Sequence, residues 1–316
     1  MDQKQMRRNF IGRVMPALLV LSGTAITTNM SRAQNLTLEG QTGGFITPTA
    51  YVVQSAKGQV LSRPSLGFHY VHAGDVIGDV YTASITEGFA NRAEVGYTRS
   101  AHANGDNPYF SSLWEFSGMN VFHGKGVVLP EDSFHTKWIP GVAAGFVVRT
   151  GDHFVTGAID GKSYTNGDAY VSVTKTMADV HVPLLLNIGW KATNASIYGI
   201  GGQATRFGGR LFGGVGFPLP GPWHTAIVPA AGFTQEPYHV KNLGLLVPGG
   251  GQIPTTLDYA VRITQRENAR FSFDAGFGQV AGQIGYTELP TPIGPAIVPV
   301  NLDARKVFGI GASYKF

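Results

Sequence analysis

The chain is 316 residues long with a formal net charge of +4; 14% of its residues are charged, 11% are aromatic, 43 are glycine and none is cysteine. A soluble chain carries about a quarter charged residues, so this one is charge-poor, and its glycines follow no Gly-X-Y period, which excludes a collagen-like fibre. The lack of cysteine excludes disulfides, cysteine-ligated zinc, thiol catalysis and lipid attachment through an N-terminal cysteine.

Residues 1–33 read as an export signal. Lys4, Arg7, Arg8 and Arg13 precede an apolar run from Val14 to Leu21 that continues weakly to Ile26, and Ser31-Arg32-Ala33 supplies a small-x-small cleavage pattern near Ala33. The run is shorter than the ~20 residues a spanning helix needs. Of the 24 basic and 20 acidic residues, this segment holds five (Lys4, Arg7, Arg8, Arg13, Arg32) and one (Asp2), which leaves 19 of each in the mature chain. A neutral mature protein gives no reason to expect nucleic acid as a partner. Arg7-Arg8-Asn9-Phe10-Ile11 is similar to a twin-arginine signal, which carries folded proteins and would favour a folded periplasmic β-protein over a membrane barrel.

Residues 34–64 form a separate N-terminal segment, rich in glycine, threonine and small residues and without strand alternation. Its core, Thr42-Gly43-Gly44-Phe45-Ile46-Thr47-Pro48-Thr49-Ala50, resembles the opening motif of the YjbH-like outer-membrane proteins associated with exopolysaccharide production. Gly43, Gly44 and Pro48 let an extended chain lie close to other backbone. Two readings stand side by side: a plug involving Thr42, Gly43, Gly44, Phe45, Thr47 and Pro48, or a mobile leader or extra edge strand.

From residue 65 to 316 the pattern is period two over about ten residues at a time, the signature of tilted transmembrane β-strands. Leu66, Phe68 and Tyr70 alternate with Gly67, His69 and Val71; similar alternation predicts strands at Tyr81–Thr86, Ala93–Thr98, Trp114–Phe116, Val142–Arg149, Ala169–Thr176, Leu184–Trp190, Leu211–Phe217, Thr225–Thr234, Leu257–Ile263 and Phe271–Phe277. With the last strand, which ends the chain, the total is about twelve. Short connections are expected at Gly88–Arg92, Met177–Val180, Leu219–Pro222 and Arg266–Ala269. Long ones are expected at Ser100–Ser111, Thr150–Gly167, Lys191–Phe207, Glu236–Pro254 and Gln279–Asp303, with Gly126–Lys137 breaking the short–long rhythm. Such a rhythm predicts an all-β transmembrane antiparallel barrel of about 12 strands with short periplasmic turns and longer extracellular loops. "GIGASYKF", with Gly311, Tyr314 and Phe316, resembles the C-terminal assembly signal of Gram-negative outer-membrane barrels, which implies outer-membrane lipid and the assembly machinery as partners.

No Gly-x-Ser-x-Gly elbow and no His-x-Ser pair occurs, and His69 and His72, three apart on a strand, point to opposite faces. No catalytic, cofactor-binding or metal-binding set is therefore expected, and no enzyme. Parity places Glu94, Glu115, Arg149, Lys191, Arg210, Asp258, Arg262, Asp274 and Arg305 inward, either as internal ion pairs or as a charged constriction. Inward glycines such as Gly96, Gly145, Gly214, Gly216, Gly276 and Gly311 leave space that water or the Thr42–Ala50 segment must occupy. The expected function is a passive outer-membrane channel or export component for a small polar solute or saccharide, without a cofactor. A closed accessory envelope protein linked to exopolysaccharide is the alternative, with a barrel lipid hydrolase behind it.

Overall fold

The computed structural model describes residues 35–108, 111, 118–151, 164–178, 180–195, 197, 203–237, 253–265 and 270–316. Fifteen strands follow in chain order: β1 Ser65–His72, β2 Asp79–Phe89, β3 Ala93–Ala103, β4 Gly118–Leu129, β5 Gly141–Gly151, β6 Tyr164–Met177, β7 Leu184–Ala195, β8 Gln203–Gly216, the two-residue β9 Leu219–Pro220, β10 Thr225–Thr234, β11 Thr256–Gln265, β12 Phe271–Gln279, β13 Ala281–Thr291, β14 Gly294–Ala304 and β15 Val307–Lys315. Twelve of them close a ring: β1 through β8 pair in sequence, β8 pairs β10, then β11 and β12 follow, and β15 joins β12 to β1. Every pairing is antiparallel. Closure leaves no open sheet edge, which is what a strand-built wall in lipid requires.

The alternation seen in the sequence becomes an inside-out pattern. Along β2, Val80, Thr82, Ser84, Thr86 and Gly88 are buried while Tyr81, Ala83 and Ile85 are exposed; along β12, Ser272 and Asp274 are buried while Phe271, Phe273 and Phe277 are exposed. Aromatic pairs join neighbouring strands on the outer face, Tyr70 with Tyr81 at 5.2 Å, Tyr97 with Phe122 at 5.2 Å and Phe277 with Phe308 at 5.6 Å between ring centroids. A barrel with polar residues within and apolar residues without is the transmembrane kind. No helix among the described residues is long and apolar enough to cross a membrane.

Four large rings on the inner face each lie over a glycine directly across the ladder: His69 over Gly311, His123 over Gly96, Tyr170 over Gly145 and Phe212 over Gly189. A Cβ on any of these glycines would come within 2.1–2.5 Å of the ring. The glycines therefore let the rings lie along the wall and fill it sideways, the arrangement by which aromatics cover strand glycines. Pro229 falls where β10 changes partner, from β9 at Ala226 and Ile227 to β8 from Ala230 onward, a gap in the ladder that tolerates a missing N–H.

Several boundaries differ from the sequence reading. The fourth strand is described over Gly118–Leu129, and the expected Trp114–Phe116 lies outside the described residues; the connection to β5 is 130–140, not Gly126–Lys137, with a 3-10 turn at Ser133–His135. Gln279–Asp303, expected as a loop, holds the β13–β14 hairpin, whose two strands pair only with each other. β6 and β7 also run further than expected, to Tyr164 at one end and Ala195 at the other, because the wall continues past the apolar belt into polar residues such as Asn166, Asp168 and Thr193.

Candidate functional site

The ring of strands is not empty. Residues 35–55 run inside it, and none of them is exposed. The segment makes no regular ladder; it folds on itself through isolated bridges, Leu36 with Thr42 and Gly43 with Pro48, and through tight turns in which Thr37 N–H donates to Gln41 O at 2.7 Å and Gly44 N–H to Thr47 O at 2.8 Å. Gly40 turns the chain at φ 91°, against a wall so near that a Cβ would lie 2.5 Å from Thr98 Oγ1. Only glycine meets both conditions without strain.

Three clusters of charged side chains on the wall hold this segment. Glu94 on β3 is fully buried and accepts from Thr42 N–H at 2.9 Å, Thr42 Oγ1 at 2.6 Å and Val53 N–H at 2.9 Å, with Lys125 Nζ of β4 at 3.1 Å. Lys125 donates in turn to the carbonyls of Thr42 at 2.8 Å and Thr49 at 3.0 Å. Arg149 on β5 binds Glu39 of the segment through Nε and, at 2.7 Å, through Nη2, and that same Nη2 reaches Asp168 of β6 at 2.7 Å. On the opposite wall, Arg262 of β11 pairs with Asp274 of β12 at 2.8 and 3.1 Å and donates through Nη1 to Gly43 O at 3.0 Å, while Asp274 and Ser272 bind the Asn35 side chain. Buried charges persist when they are paired and hydrogen-bonded, and each of these is.

Single contacts complete the ring: Thr86 Oγ1 to Gly40 O at 2.7 Å, Thr98 Oγ1 to Glu39 O at 2.8 Å, Ala50 N–H to Thr174 Oγ1 at 2.8 Å and Asn187 Nδ2 to Pro48 O at 3.0 Å. Nearer the turn end, the Tyr51 hydroxyl donates to Glu131 at 2.7 Å and sits 2.7 Å from Thr176 Oγ1. Burial, then the Glu131 carboxylate, push the Tyr51 hydroxyl well above its ordinary range, so it stays a donor.

Of the residues expected to face inward, Glu94, Arg149 and Asp274 are fully buried at the segment; Arg262 is part-buried beside it, and Lys191 is buried on β7. Arg210 is half-buried and its Nε donates to Glu236 O at 2.7 Å near the loop end. Asp258 is half-buried on β11. Arg305 does not face the lumen: it is exposed on the connection between β14 and β15, because the hairpin ends at Ala304 and carries the chain outside the ring. Glu115 lies outside the described residues. Thr42, Gly43, Gly44, Phe45, Thr47 and Pro48 all lie within the inserted segment, Phe45 edge-on to the His69 ring at 5.6 Å. The sequence reading missed Glu39, Lys125 and Asp168; the alternation of His123 and Lys125 with Phe122 and Gly124 was the available signal for the second. Among the described residues, no group of three His, Asp or Glu side chains is arranged to hold a metal ion.

A family model described as "Protein of unknown function (DUF3034)" matches residues 33–210, more than half of the chain. The chain belongs to that family. The DUF3034 match takes in the inserted segment and its partners Glu94, Lys125, Arg149 and Asp168, but stops short of Arg262 and Asp274. No curated protein matches the chain. Among solved structures it is similar to a KdgM porin (11% identity, TM-score 0.45, 80% of this chain and 99% of that one) and to a NanC porin (9%, 0.45, 80% and 100%). LpxR from Salmonella typhimurium is similar to the same degree (8%, 0.44, 80% and 100%).

Proposed function

We propose that the chain is a gated passive channel of the Gram-negative outer membrane, closed by residues 35–55 and open to small polar solutes, saccharides among them, when that segment withdraws. The observation that carries this reading is the chemistry of the contact between segment and wall. Its polar part is made by Glu94, Lys125, Arg149, Arg262, Asp274, Thr86, Thr98 and Asn187, through hydrogen bonds and ion pairs, beside an apolar patch of Leu38 and Phe45 at the loop end. Water can replace every one of these partners, so withdrawal exposes a wetted, charged lining of the kind that selects polar solutes.

In this reading the exposed aromatics of the outer face meet lipid, and Tyr314 and Phe316 present the assembly signal to the insertion machinery. The exopolysaccharide connection rests on the Thr42–Ala50 motif alone and supplies a saccharide as the candidate cargo. Deletion of Gln41–Val53 tests the gate: β1 begins at Ser65, so the ring of strands keeps all its members. The expected result is a folded barrel with raised conductance in planar bilayers. A folded barrel with unaltered conductance would favour the closed accessory protein instead.

A further inference from the structure

Not every charged group inside the ring holds the segment. Asp258 on β11 faces inward opposite Gly232 of β10, and its Oδ1 is shielded from solvent without a hydrogen-bond partner among the described residues. A Cβ on Gly232 would lie 2.4 Å from that oxygen, so the glycine is what lets the carboxylate lie where it does. Arg262, four residues along the same face, is already committed through all three nitrogens to Asp274 and Gly43 O.

Two cavities meet at Asp258. The first, about 70 Å³, lies towards the loop end and is walled by Leu38, Phe45, Val71, Ile77, Val80 and Val307, with Thr256 and Asp258 as its polar inward-facing side chains. The second, about 80 Å³, lies between the segment and β8, β10, β11 and β12, where Thr47, Thr49, Asn187 and Arg262 contribute polar atoms. A carboxylate at the rim of an apolar cavity and without a counter-charge is costly, and a bound cation offsets that cost. At ~30 Å³ per water the first cavity has room for about two water-sized groups, enough for a two-carbon apolar body. Its described lining offers too few hydrogen-bond partners for the hydroxyls of a sugar, and Asp258 repels an anion.

From this juxtaposition we infer that the lumen holds a binding site for a small organic cation, an ammonium head on Asp258 with a compact apolar body among Leu38, Phe45, Val71, Ile77, Val80 and Val307. The site goes beyond the channel reading, since it is complete with the segment in place and does not depend on gating.

The test is calorimetric titration of the full-length chain in a neutral detergent with ethylammonium, and with its neutral and anionic counterparts ethanol and acetate. Saturable binding of the ammonium is expected, at least tenfold tighter than the alcohol, with no binding of the carboxylate. Asp258→Asn should weaken the ammonium at least tenfold and leave the alcohol unchanged, whereas Val307→Phe, which fills the cavity, should remove both. Ala260→Leu, also on the cavity wall, is the second filling variant should Asp258→Asn fail to fold. Equal affinity of the wild type for ammonium and alcohol, or ammonium binding that survives Asp258→Asn or both filling variants, would overturn the site. Absence of saturable ammonium binding to the folded wild type would do the same.

Discussion

Replacing Glu94 by Gln isolates the grip of the wall on the inserted segment. In the native chain this carboxylate accepts from two N–H groups and a hydroxyl of the segment and pairs with Lys125, all fully buried. The amide keeps one acceptor oxygen but turns an NH2 group towards donors, and it leaves the Lys125 ammonium with only the Thr42 and Thr49 carbonyls. Breaking a buried pair on one side costs about 3–5 kcal/mol. Once the segment is out, water solvates Lys125 and the penalty vanishes, so nearly all of it falls on the closed state. About 3 kcal/mol corresponds to roughly two decades in an equilibrium constant. The open probability of single channels in planar bilayers should therefore rise about 100-fold, while the band shift between unheated and boiled samples shows that the barrel is intact. A folded variant whose closed times match the wild type would refute the reasoning, because the Glu94 network would then brace the wall and not the segment.

Deletion of Phe316 should lower the amount of protein in the outer-membrane fraction and leave the thermal midpoint of the assembled fraction unchanged. The ring is half-exposed, touches Tyr314 edge-on at 5.1 Å and adds little packing, which fractionation and a melting curve together would check. Glu236, just beyond β10, is buried between Ile197 N–H at 2.8 Å and Thr256 Oγ1 at 3.2 Å, and burial raises its pKa above the ordinary carboxylate value. The folded state therefore holds this proton more tightly than the unfolded one, so stability is gained as pH falls through the raised folded value and lost as pH rises through it. Thermal midpoints measured from pH 7 downward should rise more steeply in the wild type than in Glu236→Gln, which removes the titration.

The barrel was legible because its strands carry apolar residues outward at every second position, a pattern that Leu66, Phe68, Tyr81, Ile85, Phe271 and Phe273 preserve on the exposed face. The stretch of β4 up to Leu129 was not read as strand because Gly124 and Gly126 interrupt its outward apolar row; its information sits in the inward His123 and Lys125 instead. The hairpin β13–β14 was hidden by its prolines and glycines at Pro290, Gly294, Pro295 and Pro299, which read as loop. The inserted segment was legible only as a stretch without alternation. Its partners are side chains far away in sequence, Glu39 with Arg149 and Asn35 with Asp274, and no local period encodes a contact across 110 or 239 residues. Inward parity found Glu94, Arg149 and Asp274 but not what they hold.

The central claim is that residues 35–55 are the gate, and a reversible tether tests it most directly. A Cβ built on Gly141 of β5 lies 3.5 Å from the Cβ of Ala50, within the range a disulfide spans, and the chain has no cysteine of its own to interfere. Bilayer conductance of the double variant Ala50→Cys and Gly141→Cys should show no openings when oxidised and wild-type openings after reduction. The same conductance before and after reduction, with the disulfide verified by mass, would contradict the account.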